Sequence, residues 1–216
     1  MNKMFCFIVS ISIALLAIVG CKHDKETVAT SNSASVVERA PVPSAAPVPE
    51  LTESQKLYVQ LKNVSNLPEA ISIVKPVMGD MVNNADDGTA LMAAWLLRHY
   101  NFNELNKIET TKFPLVMKSS ELEKGKRICT SGSVIEIVSK KTNDGEITEG
   151  GLLANGRVYR FIGVGSSGEI AEGSYAAFCG IVTGKYSYSN SGGGMTHAVQ
   201  LVGMFDLPEN KKQSQS

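Results

Sequence analysis

Histidine is scarce in this chain, and neither sign of charge predominates. Only His23, His99 and His197 occur in 216 residues, and 21 basic residues stand against 21 acidic ones. A formal charge of zero supplies little counterion release, so nucleic acid is not expected as a partner. No basic stripe or polyacidic tail appears. Also lacking are HExxH, CxxC, Gly-x-Ser-x-Gly and a Walker loop. Those spacings would place metal ligands, redox thiols, an activated serine or a triphosphate cradle. Gly163-Val-Gly-Ser-Ser-Gly168 has the spelling of a dinucleotide loop, but the residues after it, EIAEGSYAA, are too short for the helix such a site needs. A β-turn is expected there. With no nucleophile–base pair or metal set legible, the chain is expected to be non-enzymatic, with no cofactor and no metal.

No apolar run reaches the roughly 18–20 residues that cross a bilayer as a helix. The longest, Phe5–Gly20, spans 16 residues between Lys3 and the polar Lys22-His23-Asp24-Lys25. A positive start, an apolar middle and a small residue at the end describe a secretory leader. Its last four residues, Ile18-Val19-Gly20-Cys21, resemble the lipobox of bacterial lipoproteins. The resemblance implies cleavage between Gly20 and Cys21, a diacylglycerol on the Cys21 sulfur and acylation of the new amino group. One acyl chain holds a protein only marginally to a membrane, whereas two or more anchor it stably. In enterobacterial members of that family an aspartate after the cysteine retains the protein in the inner membrane. Lys22 therefore implies an outer-membrane anchor facing the periplasm.

Residues 21–50 follow as the lipidated cysteine and a tether rich in Ser, Ala and Pro, without aromatics and ending in repeated X-Pro. Such a segment cannot bury enough apolar surface to offset chain entropy. Its 29 residues after Cys21 would reach about 90 Å extended and about 30 Å as a coil.

Residues 51–112 read as a helical unit. Thr52 with Gln55 spells a capping box ahead of KLYVQLKNV. Pro68 suits the first turn of a second helix, and Asp86 or Asp87 can cap a third. The run Ala90–Leu97 is apolar all round, as in a buried helix, with Trp95 in its core and His99 near its C-terminus.

Residues 113–208 change rhythm to short β-branched runs between glycines. Five strands are expected: Arg127–Val138, bent by a bulge or corner at Gly132; EGGLLA and RVYRFIGV, joined by Asn155-Gly156; Tyr175–Thr183; and Thr196–Phe205. GKYSYSNSGGG is expected as a long loop, and residues 209–216 as a disordered tail. Five such strands look like an OB-like β-barrel, with an SH3-like barrel or small sandwich as alternatives, so the class is α+β. Cys129 and Cys179 fall on the first and fourth strands, neighbours in an OB barrel. A disulfide between them is expected in a secreted chain.

The stretch GGGMTHAVQLVGMFD, residues 192–206, with VYRFIGVGSSG and FCGIVTG before it, resembles bacterial envelope lipoproteins carrying a Gly-rich OB-like domain. That group implies a fold and no activity. The expected binding surface joins Arg157, Tyr159, Tyr186, Tyr188 and His197, since aromatics beside cations can stack rings and hold anions. The expected role is a membrane-anchored binding or interaction module for an envelope protein or cell-wall component. The alternative is an immunity or inhibitor lipoprotein against a periplasmic toxin or hydrolase.

Overall fold

The computed structural model describes residues 51–82, 86–99, 102–190 and 192–212. The leader, the Gly20–Cys21 position and the tether lie outside the described residues.

Local chemistry sets the helix starts. Helix α1, Glu53–Leu61, has the full capping box: the Thr52 hydroxyl accepts from the Gln55 amide, and the Gln55 side chain accepts from the Thr52 amide. Helix α2, Leu67–Val74, is capped by Asn66 and carries Pro68 in its first turn. A 3-10 turn, Lys75–Val77, follows. Helix α3, Asp87–His99, is capped by Asp86, whose carboxylate accepts from the amides of Thr89 (2.6 Å) and Gly79 (3.0 Å). Met92, Trp95 and Leu96 of α3 are buried, and the Trp95 indole donates to the Val64 carbonyl at 2.9 Å. Short helices α4 (Phe102–Leu105), α5 (Phe113–Lys118) and α6 (Ser120–Glu123) lead into the sheet. The last two precede the strands in a stretch where the glycine rhythm alone suggests only β-structure.

The fold is α+β with a six-stranded sheet. Its strands are β1 (Met81–Val82), β2 (Arg127–Thr142), β3 (Gly145–Ala154), β4 (Arg157–Val164), β5 (Tyr175–Ser189) and β6 (Met195–Phe205), in the order β1-β5-β2-β3-β4-β6. A further β5–β6 pairing joins the five long strands into a ring of hydrogen-bonded neighbours. All of its contacts are antiparallel except β4 with β6. The β3–β4 turn has positive φ at Asn155 (52°) and Gly156 (70°), the pairing a two-residue hairpin of the right twist demands.

Both faces of the ring are buried where helices cover it. Inside lie Phe161, Phe178 and Phe205, their centroids 5.0–5.2 Å apart, with Val134, Leu152, Val199 and Leu201. Outside, Ile162, Val164, Ile181, Val202 and Met204 share a core with Leu67, Val74, Met92 and Leu96 of the helices. Strands buried on both faces lose the alternating pattern, which is why FIGV of β4 and LVGMF of β6 read as continuous apolar runs. Each fully buried Phe or Leu contributes about 1.5–3 kcal/mol.

The expected disulfide is present. Cys129 and Cys179 stand directly opposite each other on β2 and β5, with Cα atoms 4.0 Å apart, and are bonded.

Four expectations are corrected. GKYSYSNSGGG is not a long loop: β5 continues to Ser189, and only residues 190–194 connect it to β6. Within them, the Asn190 side chain accepts from the amides of Gly192 and Gly194, both at 3.0 Å. Alternation of aromatic and small polar residues in KYSYS is a strand pattern, and cross-strand pairing with β6 selects it. Gly132 is not the bulge: the β2–β3 register shifts between Val134 and Glu136, skipping Ile135. Gly132 instead meets the Leu153 carbonyl so closely that a Cβ would lie 2.2 Å from its oxygen. The expected tail begins as a helix, α7 (Pro208–Lys212), held by the buried Asn210. Finally, β1 is a sixth strand, paired in parallel with Tyr186 and Ser187 of β5.

Candidate functional site

Alternation along β5 turns Tyr186 and Tyr188 to one side of the strand and Ser187 to the other. The two tyrosines are half-buried, with ring centroids 6.0 Å apart. The Arg160 guanidinium of β4 lies 5.4 Å from the Tyr186 centroid and is ion-paired with Glu136 of β2. Arg160 and Glu136 are not adjacent in the sheet, since Gly151 of β3 pairs with both. Having no side chain, Gly151 leaves the space through which Arg160 reaches Glu136. A Cβ there would sit 3.0 Å from Ile135 Cγ1 and 3.5 Å from Arg160 Nη1.

Together with Ile135 and Val158, these residues line a cleft of about 280 Å³. Ile135, left without a partner by the bulge, is 41% exposed. The apolar surface continues along paired residues from Val158 to Leu153, then across Ser133 to Tyr175, which is 76% exposed. Isolated exposed apolar residues are ordinary on a protein surface; a row leading into a cleft with an ion pair has the make-up of an interaction surface.

The expected binding surface is split by the structure. Tyr186 and Tyr188 are together at the cleft. Tyr159 is not there: its ring is buried and packs edge-on against Phe113 of α5 at 5.3 Å. Burial pushes its phenol above the usual range, while the Thr130 hydrogen bond and the Arg157 charge oppose that shift. Arg157 shares that face, its guanidinium 5.3 Å from the Phe113 centroid. His197 is exposed and pairs with Ser187, Nδ1 to Oγ at 2.8 Å, on the side of β5–β6 away from Tyr186. Sequence reasoning missed Arg160 and Glu136. The signal for Arg160 was available, because an arginine between Tyr159 and Phe161, both core residues, must face outward.

The cleft offers two ring edges or faces, one guanidinium and one carboxylate. That suits stacking and hydrogen bonding. Its lining contains no serine, cysteine, lysine or histidine. The Ser187–His197 pair is exposed, and among the described residues no carboxylate orients the imidazole. Gly163–Gly168 runs into turns rather than a helix, as expected. Among the described residues no group of three or more His, Cys, Asp or Glu is placed to hold a metal, and no helix is long and apolar enough to cross a membrane. In comparison with known proteins, no family model and no curated sequence matches this chain.

Proposed function

We propose that the chain is a non-enzymatic envelope lipoprotein, anchored through Cys21 and docking an envelope protein or cell-wall component on the Arg160–Tyr186–Tyr188 cleft. The anchor rests on Ile18-Val19-Gly20-Cys21 after an apolar leader. The folded part is an OB-like barrel preceded by a helical unit. In support, the five long strands pair first to second, second to third, third to fifth, fifth to fourth and fourth to first, with only the third–fifth pair parallel. OB barrels bind on the outer face of their second and third strands, the face that here carries Gly151, Val158 and Arg160.

The observation that carries the docking reading is the pairing of Tyr186 with Tyr188 on one strand face, beside Arg160, where no core needs them. Tyrosine and arginine dominate binding hot spots because they bring large contact area with a polar end. The test is crosslinking in intact cells. Wild type should give a discrete crosslinked partner from the envelope fraction. The Tyr186→Ser/Tyr188→Ser double variant should stay folded at a cost of about 1–2 kcal/mol, the scale of lost cross-strand packing at two strand positions, and lose most of that product. An unchanged crosslink in the double variant would remove the cleft from the account.

A further inference from the structure

A second cleft lies on the helices, away from the sheet cleft and with different chemistry. Its volume is about 200 Å³, and it opens between α1 and α3. Leu61 contributes to its floor, and Tyr58, Trp95 and His99 bring aromatic surface. Trp95 is fixed by its indole bond to the Val64 carbonyl (2.9 Å), and His99 stacks on it with centroids 4.7 Å apart and planes 16° from parallel. His99 Nδ1 lies 3.2 Å from the Trp95 carbonyl, so it carries the proton and donates. That leaves Nε2 as the ring's second polar atom.

Two cations edge this cleft. The Lys62 ammonium lies 5.0 Å and the Arg98 guanidinium 5.3 Å from the Tyr58 ring centroid. Arg98 donates through Nε (3.2 Å) and Nη2 (2.9 Å) to one oxygen of Asp144 and also hydrogen-bonds the Tyr58 side chain, so only its N–H groups outside these contacts serve another acceptor. Among the described residues no carboxylate lies within ion-pair distance of Lys62, and no acidic side chain lines the cleft. The walls therefore carry a net positive charge beside aromatic surface.

We propose that this cleft binds a small organic anion: a carboxylate on a single planar ring. The carboxylate pairs with Lys62 and the outer N–H groups of Arg98, contacts that are stronger than neutral hydrogen bonds. The ring takes the aromatic wall. The volume is below the roughly 300 Å³ at which drug-sized sites begin, which limits the occupant to one ring. This site is independent of the sheet cleft and of the docking reading.

Trp95 is the chain's single tryptophan, so its fluorescence reports on this cleft alone. The full chain in detergent is titrated with benzoate, with benzyl alcohol as the uncharged ring and acetate as the ringless carboxylate. Benzoate should change Trp95 emission saturably, and the other two should bind at least several-fold more weakly. Lys62→Gln, an exposed position at the end of α1, should weaken benzoate by roughly fivefold, the scale of a partly exposed charge contact, while leaving benzyl alcohol unchanged. Circular dichroism confirms that the variant folds, and the Trp95 indole N–H resonance gives a second readout. Equal binding of benzoate and benzyl alcohol, an unchanged benzoate affinity in Lys62→Gln, or no saturation at millimolar benzoate would each overturn the proposal.

Discussion

Tyr159 and Arg160 are neighbours in sequence and opposites in role. One residue of register sends a strand side chain to the other face of a sheet, so Tyr159 packs inside against Phe113 while Arg160 reaches outward to Glu136. A sequence reading that grouped Arg157 and Tyr159 with the binding surface put the register off by one. The period-two signal was weak because β4 is buried on both faces for half its length. Tyr159→Ala should cost about 3–5 kcal/mol, as large-to-small core changes do, whereas Arg160→Ala should stay within about 1 kcal/mol, the range for an exposed ion pair. Urea unfolding midpoints separate the two. The cysteine pair was legible, because two cysteines expected on neighbouring strands have few other fates if the leader is the secretory one the sequence suggests. Cys129–Cys179 closes a loop of 50 positions, worth about 4 kcal/mol at most by chain entropy. Reduction should lower the thermal midpoint, and thiol titration of the oxidised protein should find neither cysteine free.

Among the elements, those with their own local code were legible. The α1 capping box, Pro68 in the first turn of α2, the Asp86 cap and the Asn155-Gly156 hairpin are each written within four residues. Elements held only by distant partners were not. Strand β1 is two residues long and follows Asp80, whose carboxylate accepts from the Lys185 amide (2.8 Å) and the Ser120 hydroxyl (2.9 Å) and pairs with the Lys185 ammonium (3.1 Å). Burial alone would raise the Asp80 pKa, but these donors together hold it below the ordinary carboxylate value. A depressed folded-state pKa stabilises above the unfolded value, near 4, and that stability is lost as pH falls through the folded value. Asp80→Asn should therefore cost about 1 kcal/mol at neutral pH, and the gap from wild type should close as the pH falls below about 4. Helix α7 likewise depends on Asn210, which accepts from the Ser166 amide (2.8 Å) and donates to the Ser166 and Phe205 carbonyls (both 2.9 Å). Asn210→Ala leaves those buried backbone groups without their partner and should cost about 1–3 kcal/mol, read from the thermal midpoint.

At the scale of the whole molecule, the five long strands, the Cys129–Cys179 pairing and the α+β class could be read from the chain, and the two-residue β1 could not. The cleft could not, because it assembles from β2, β4 and β5 across a glycine of β3, and no short stretch of sequence contains it. The proposed anchor would tie the folded part to a membrane through a tether whose own reach is about 30 Å as a coil and about 90 Å extended. A fatty-acid label should enter wild type and not Cys21→Ala, which should also retain its leader. The central claim is that docking uses the sheet cleft rather than the helices. Both regions expose apolar side chains: Leu153 and Tyr175 beside the cleft, Leu115 and Leu122 on α5 and α6. The most direct measurement places a photo-crosslinking residue in turn at Leu153, Tyr175, Leu115 and Leu122 and irradiates intact cells. The account predicts one common partner captured from Leu153 and Tyr175 and none from Leu115 or Leu122. Capture from the helix positions alone would contradict it.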